Sequence, residues 1–203
     1  YEKATRLVID TYYCGVAKEV VAHLDDGIIL DIGTGPGYLP IEIVKASSSI
    51  KIVGVDLSRK LIQMARSNAL KAGMADRLTF QTGNGGQLRF DDASFDMVIS
   101  TGVLHSLKDP VKVLQEIYRV LKAGREAWVF DPAKVISQVD RKRWKASLNP
   151  SERFFLWLFK LFGLHKPIKT YTREQAIALL QKTDFEHYRI DTRDKEIRIK
   201  LQK

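Results

Sequence analysis

A chain of 203 residues, 45% hydrophobic and 28% charged, suits one globular domain and can bury a real core. A single cysteine, Cys14, excludes a disulfide framework and suits a reducing cytoplasm. The net charge of +9 is uneven, because residues 1–131 carry 16 Lys/Arg and 16 Asp/Glu whereas 132–203 carry 17 against 8.

The segment before Ile28 reads as a helix with Val16, Val20, Val21 and Leu24 as its apolar set. Ile28–Ile32 is a first strand, and a helix from Gly37 to Ala46 follows the glycine-rich turn. Ile52–Asp56 is a second strand. Ser58 can cap the next helix, with Leu61, Met64, Ala65 and Ala69 expected on its buried face. Leu78–Phe80 and Met97–Ser100 read as the third and fourth strands. Asp109-Pro110 is a helix start, a cap followed by proline at the first position, ahead of Val113, Leu114, Ile117, Val120 and Leu121. Ala127–Phe130 is a fifth strand. These strands are nearly continuous apolar runs, the pattern of a parallel sheet covered by helices on both faces.

Beyond the fifth strand the chain changes character. Residues 133–170 are basic and aromatic, and read as a helical lid insertion. Within them Phe154 to Leu164 is the longest apolar run, interrupted by Lys160 and too short to span a bilayer. Thr172 to Gln175 forms a capping box before a helix bearing Ile177, Leu179 and Leu180. Tyr188 and Ile190, then Ile197, Ile199 and Leu201, alternate with polar residues about a turn near 192–194, which makes an antiparallel hairpin. The expected fold is α/β: a doubly wound, mostly parallel seven-stranded sheet closed by that hairpin. One domain would comprise an N-terminal helical cover (1–26), a core (27–132), the lid (133–170) and a last helix with the hairpin (171–203). No secretory leader is expected at the start, and the expected location is cytoplasmic.

The first strand runs directly into Gly33-Thr34-Gly35-Pro36-Gly37. Glycines there let backbone approach a ligand closely. The dinucleotide fingerprint Gly-x-Gly-x-x-Gly would need its third glycine where Tyr38 stands. Pro36 also removes an N–H that a pyrophosphate would use. No Gly-Lys-Ser/Thr follows, so a Walker loop is excluded. Asp56 lies 23 residues after Gly33 at the end of the second strand, where a carboxylate can accept from two ribose hydroxyls or can start a helix beside Ser58.

The run Leu30-Asp31-Ile32-Gly33-Thr34-Gly35-Pro36-Gly37 is followed by Gly54-Val55-Asp56-Leu57-Ser58, Gly83-Asn84-Gly85 and Ser94-Phe95-Asp96-Met97-Val98-Ile99-Ser100. Val103-Leu104-His105-Ser106-Leu107, Asp109-Pro110 and Leu121-Lys122-Ala123-Gly124 complete the set. In this order the chain resembles the Rossmann-like S-adenosylmethionine (SAM)-dependent methyltransferases, particularly the small-molecule and ubiquinone/menaquinone-biosynthesis branch. The resemblance spans about 27–132. It implies that Asp31, Gly33, Thr34, Gly35 and Gly37 line the methionine end of SAM, with Thr101 and Gly102 flanking it. Asp56 would hold the ribose, Leu57 would pack on adenine, and Asn84 and Gly85 would meet the adenine edge. Asn84 replaces the family's usual acid but keeps an acceptor oxygen. Arg125 replaces a frequent second glycine, in a turn expected to lie away from the cofactor.

SAM carries its own activated methyl, so the protein mainly aligns the acceptor and, for carbon or hydroxyl acceptors, removes a proton. His105, past the fourth strand, is either that base or a residue that shapes the acceptor pocket or caps the nearby helix. Tyr12, Tyr13 and Trp157 are candidate acceptor contacts, the tyrosines equally core aromatics. No metal site is expected. The fourth strand leads into Ser100-Thr101-Gly102-Val103, not an amino-methylating Asp/Asn-Pro-Pro-Tyr motif, and Cys14 is misplaced for cytosine chemistry. A small-molecule acceptor is therefore expected. RNA or protein acceptors and a non-catalytic SAM-binding protein are the alternatives. The basic last third reads as a solvated surface or as one that meets an anionic or membrane partner; no nucleic-acid-binding module is recognisable.

Overall fold

A computed structural model describes residues 12–132, 170–193 and 196–203. Thirteen elements follow in order, beginning with α1 (Cys14–His23), β1 (Gly27–Ile32), α2 (Tyr38–Ala46), β2 (Ile50–Asp56), α3 (Arg59–Lys71) and β3 (Leu78–Thr82). Next come β4 (Phe95–Thr101), a 3-10 turn (Leu104–Ser106), α4 (Pro110–Val120) and β5 (Leu121–Pro132). The last three are α5 (Arg173–Leu180), β6 (His187–Arg193) and β7 (Glu196–Gln202). One seven-stranded sheet has the order β3-β2-β1-β4-β5-β7-β6. Its first five strands are parallel, and β7 runs antiparallel to both β5 and β6. The expected architecture is the one observed.

Two apolar layers explain the continuous strand runs. Ile29, Ile52, Met97, Ile99 and Trp128 pack on α1, α2 and α3, while Leu30, Val55, Val98 and Val129 pack on α4 and α5. Helix starts follow their caps. Ser58 Oγ accepts from Leu61 N at 3.3 Å, Asp109 Oδ1 from Lys112 N at 3.0 Å, and Thr172 and Gln175 exchange both bonds of a capping box.

Two expectations need correction. Helix α3 buries Ile62, Ala65 and Ala69, whereas Met64 is 41% exposed. Those three sit at i, i+3 and i+7, and alanine lets the helix lie close to the sheet. Helix α5 packs Leu180 on the core as expected, with Ala176 fully buried beside it and Ile177 and Leu179 partly covered. Strand β5 begins at Leu121, and its ladder with β4 shifts between Phe95 and Met97. The lid insertion, including Trp157 and the 154–164 run, lies outside the described residues, as does the hairpin turn at 194.

Chain order sets where a site can form. After β1 the chain moves outward through β2 and β3, then returns to β4 on the other side of β1. The crevice beyond the carboxyl ends of β1 and β4 is thus the topological switch point.

Candidate active site

The 33–37 loop leaves β1 and is closed by the chain itself. Gly33 N and Thr34 N both donate to Val55 O, at 2.7 and 3.1 Å, and Gly37 N donates to Thr34 O at 3.0 Å. Gly35 N donates to Asp56 Oδ2 at 3.0 Å. Asn68 Nδ2 of α3 holds Pro36 O at 2.9 Å. Every N–H from Gly33 to Gly37 therefore has a protein acceptor, and Pro36 has none to offer. The backbone of this loop leaves no N–H for a pyrophosphate.

The glycines of this region divide by what surrounds them. A Cβ on Gly37 would lie 3.0 Å from Ala65 and Phe80, and one on Gly85 2.9 Å from Ile32, while Gly33 is filled by Val103. Those positions are glycine because the protein's own side chains occupy the space. Gly35 (φ +54) and Gly102 (φ +68) instead face open space, with nothing within 4 Å of a built Cβ. Both also hold left-handed backbone that favours glycine. Gly54, on β2, opens the Gly54–Ser58 run without an expected role. A Cβ there would lie 2.6 Å from Phe80 and 2.7 Å from Thr34 Oγ1, so it is glycine to admit both that ring and the loop.

Two carboxylates frame that open space. Asp31, only 2% exposed at the end of β1, is pushed up from 3.8 to about 7. Burial is the main cause; the Thr34 hydroxyl opposes it, and the nearby Asp56 charge adds to it. Asp56 accepts from Gly35 N through one oxygen and from Ser58 N at 2.8 Å through the other, which leaves each oxygen a lone pair. It thus serves as helix-start acid and retains capacity for hydroxyl donors. A donor-poor loop flanked by two buried or half-buried acids suits a cationic ligand such as a sulfonium-bearing amino acid.

Leu57, next to Asp56, is 73% exposed, an apolar side chain presented at the mouth of the crevice. Across from it, Asn84 Oδ1 accepts from Gly86 N at 3.0 Å and so closes its own turn. That loop is anchored by α4: Leu88 N donates to Glu116 Oε2 at 2.6 Å, and Arg119 bonds Leu88 O and Phe90 O. A cleft of about 310 Å³ opens there, bounded by Val55, Arg59, Gly83, Asn84, Gln87 and Leu88 among others. Arg125 lies at the opposite end of the sheet, 3.6 Å from Asp96, which accepts from Ile28 N at the start of β1.

On the β4 side, Ser100 Oγ donates to Ile32 O at 2.9 Å, and Gly102 N to Phe130 O at 2.8 Å, which aligns Thr101 and Gly102 beside the glycine loop. His105 follows on the 3-10 turn. Its N–H donates to Asp131 Oδ2 at 2.9 Å, and its Nδ1 lies 3.1 Å from Asp131 Oδ1. Sequence reasoning missed Asp131; a lone acid closing the apolar β5 was the available signal. Tyr12 donates its hydroxyl to Glu196, whose neighbour Arg198 pairs with Glu19 of α1. This pins the start of α1 to β7. The Tyr13 ring sits 6.4 Å from that of Tyr38, and burial, with Asp31 nearby, raises its hydroxyl pKa. Tyr13 is therefore on the loop side and Tyr12 on the β7 side. Among the described residues no group of His, Cys, Asp and Glu could hold a metal ion.

Comparison with known proteins bears on what occupies this crevice. The family described as the methyltransferase domain matches residues 23–161. The ubiquinone/menaquinone biosynthesis C-methyltransferase of Geotalea uraniireducens is 30% identical over 135 residues, 64% of this chain and 57% of that protein. The demethylmenaquinone methyltransferase of Symbiobacterium thermophilum is 28% identical over 149 residues, 71% of this chain and 58% of that one. A crystal structure of a SAM-dependent methyltransferase from Aquifex aeolicus shares the fold at a TM-score of 0.70 and 17% identity, covering 91% of this chain and 88% of that one. The chain spans a little over half the length of the curated relatives it matches.

Proposed function

The chain belongs to the methyltransferase-domain family, the Rossmann-like enzymes whose methyl donor is SAM, and we propose that it passes that methyl to a small, largely apolar acceptor of the quinol class. The observation that carries the reading is the loop at 33–37, which has no spare N–H and is flanked by Asp31 and Asp56. It is a seat for a cation.

When bound, SAM supplies an electrophilic methyl on a positive sulfur. The chain's residues then divide the remaining work. Asp31, Gly33, Thr34, Gly35, Gly37, Thr101 and Gly102 hold the methionine end. Asp56 accepts from the ribose hydroxyls with the lone pairs its backbone donors leave, Leu57 packs on adenine, and Asn84 and Gly85 meet its edge. His105 faces the acceptor and takes its proton, and Tyr13 borders the same space. The excess of Lys/Arg in 132–203 would suit anionic headgroups where an apolar acceptor resides. The quinol class is supported by the chain's similarity to the ubiquinone/menaquinone biosynthesis C-methyltransferase and the demethylmenaquinone methyltransferase. A cytoplasmic location suits the single cysteine, and among the described residues no helix is long and apolar enough to cross a membrane.

The test is transfer from tritiated SAM to demethylmenaquinol in detergent micelles, run beside total RNA and a protein extract. The label is expected in the solvent-extractable quinol fraction. Label confined to precipitated RNA or protein would overturn the small-molecule reading. No label in any fraction, with SAM bound, would favour a non-catalytic binding protein.

A further inference from the structure

The strongest unassigned feature is a buried carboxylate aimed at the acceptor-side histidine. Asp131 stands at the carboxyl end of β5, its side chain 0% exposed, while the His105 side chain is 24% exposed. Each carboxylate oxygen meets His105: Oδ2 accepts the His105 backbone N–H at 2.9 Å, and Oδ1 sits 3.1 Å from Nδ1. The first bond fixes the 3-10 turn that carries the histidine; the second fixes the ring. β-ladder register makes this possible, because Thr101 of β4 is paired with Phe130 of β5. The chain leaving β4 therefore folds back over the residue that follows Phe130.

We propose that Asp131 is a positioning residue that holds His105 as its Nδ1–H tautomer, so that Nε2, on the far side of the ring, is left with a free lone pair toward the methyl acceptor. An ionised carboxylate only accepts, so the nitrogen that faces it must carry the proton. Burial raises the Asp131 pKa, and the hydrogen bonds and charge of His105, with a bond from the Leu104 backbone, oppose that rise by favouring the charged form. The hydrogen bond thus serves both partners. The inference rests on the reading that His105 serves the acceptor. In the transfer, the acceptor atom bonds the methyl, the electron pair of the broken carbon–sulfur bond stays on sulfur, and the acceptor's proton moves to Nε2. Asp131 stabilises the imidazolium so formed and exchanges no proton itself.

Nitrogen-15 NMR of histidine-labelled protein reads the tautomer directly, without cofactor or acceptor. Wild type, with the ring neutral, is expected to show His105 protonated at Nδ1 and bare at Nε2. Asp131→Asn keeps the shape, and its amide can donate to Nδ1, so the proton is expected to move to Nε2. Turnover of demethylmenaquinol by Asp131→Asn should fall about 100-fold or more, the scale of lost acid–base catalysis, with S-adenosylhomocysteine affinity unchanged. A wild-type spectrum with Nε2 protonated, or a tautomer that Asp131→Asn leaves unmoved, would overturn the proposal. The wild-type spectrum decides even if the variant fails to fold. A moved tautomer with normal turnover in both Asp131→Asn and His105→Ala would support the clamp and retire His105 as the base.

Discussion

Gly35→Val is expected to lose SAM and S-adenosylhomocysteine binding by at least about 100-fold, roughly 3 kcal/mol, while the protein stays folded. The two effects separate because Gly35 faces open space: nothing of the protein lies within 4 Å of its built Cβ. A branched side chain would project into the crevice where the ligand's methionine end would lie. It would also strain the loop, because φ is +54 there, at a cost of about 1–2 kcal/mol that leaves most of the domain's stability intact. Gly54→Val is the control. Its Cβ would strike Phe80 and Thr34, so it should disrupt the domain rather than the site alone. Calorimetric titration with S-adenosylhomocysteine and urea unfolding of both variants check the pair. Retained binding in folded Gly35→Val would remove the loop from the cofactor site.

Asp31→Asn is expected to stabilise the ligand-free protein at pH 8, by up to about 4 kcal/mol, because the wild-type carboxyl is held at about 7 against 3.8 when free. The folded value is raised, so the favourable contribution of this group is complete below about 3.8 and is lost as pH rises through about 7. Wild type and variant should therefore converge toward pH 4, diverge progressively between about 4 and 7, and keep a constant difference above that, as urea unfolding at several pH values would show. The same change should weaken binding of the cationic cofactor, whose ammonium and sulfonium charges favour the ionised acid. The site thus holds an acid whose ionisation is costly until a cation arrives. A stability difference that does not vary with pH would show that Asp31 is already ionised and compensated in the free protein.

The fold was legible because β1, β2, β4 and the end of β5 are apolar on both faces, which only a covered parallel sheet requires. Capping residues Ser58, Asp109 and Thr172 marked helix starts correctly because they act within one turn of chain. The α3 stripe was half misread: Ala65 and Ala69 are buried as expected, but Ile62 fills the place expected of Leu61 and Met64, because all three are apolar and only the packed sheet decides which side is covered. The same holds in the site. The glycine spacing identified the loop, but sequence could not separate Gly35, which faces open space, from Gly33, whose space is filled by Val103, 70 residues away. The Asp131–His105 pair spans 26 residues and depends on the β4–β5 register, so it has no local signature.

A crevice beyond β1, β2 and β4 that holds SAM should discriminate against a pyrophosphate-bearing nucleotide. Isothermal titration of the wild-type protein with S-adenosylhomocysteine, and separately with NAD, reads that choice. Saturable binding of one S-adenosylhomocysteine per chain is expected, with no measurable heat from NAD, because the loop at 33–37 has no N–H left for a pyrophosphate. Binding of NAD with none of S-adenosylhomocysteine would contradict that expectation.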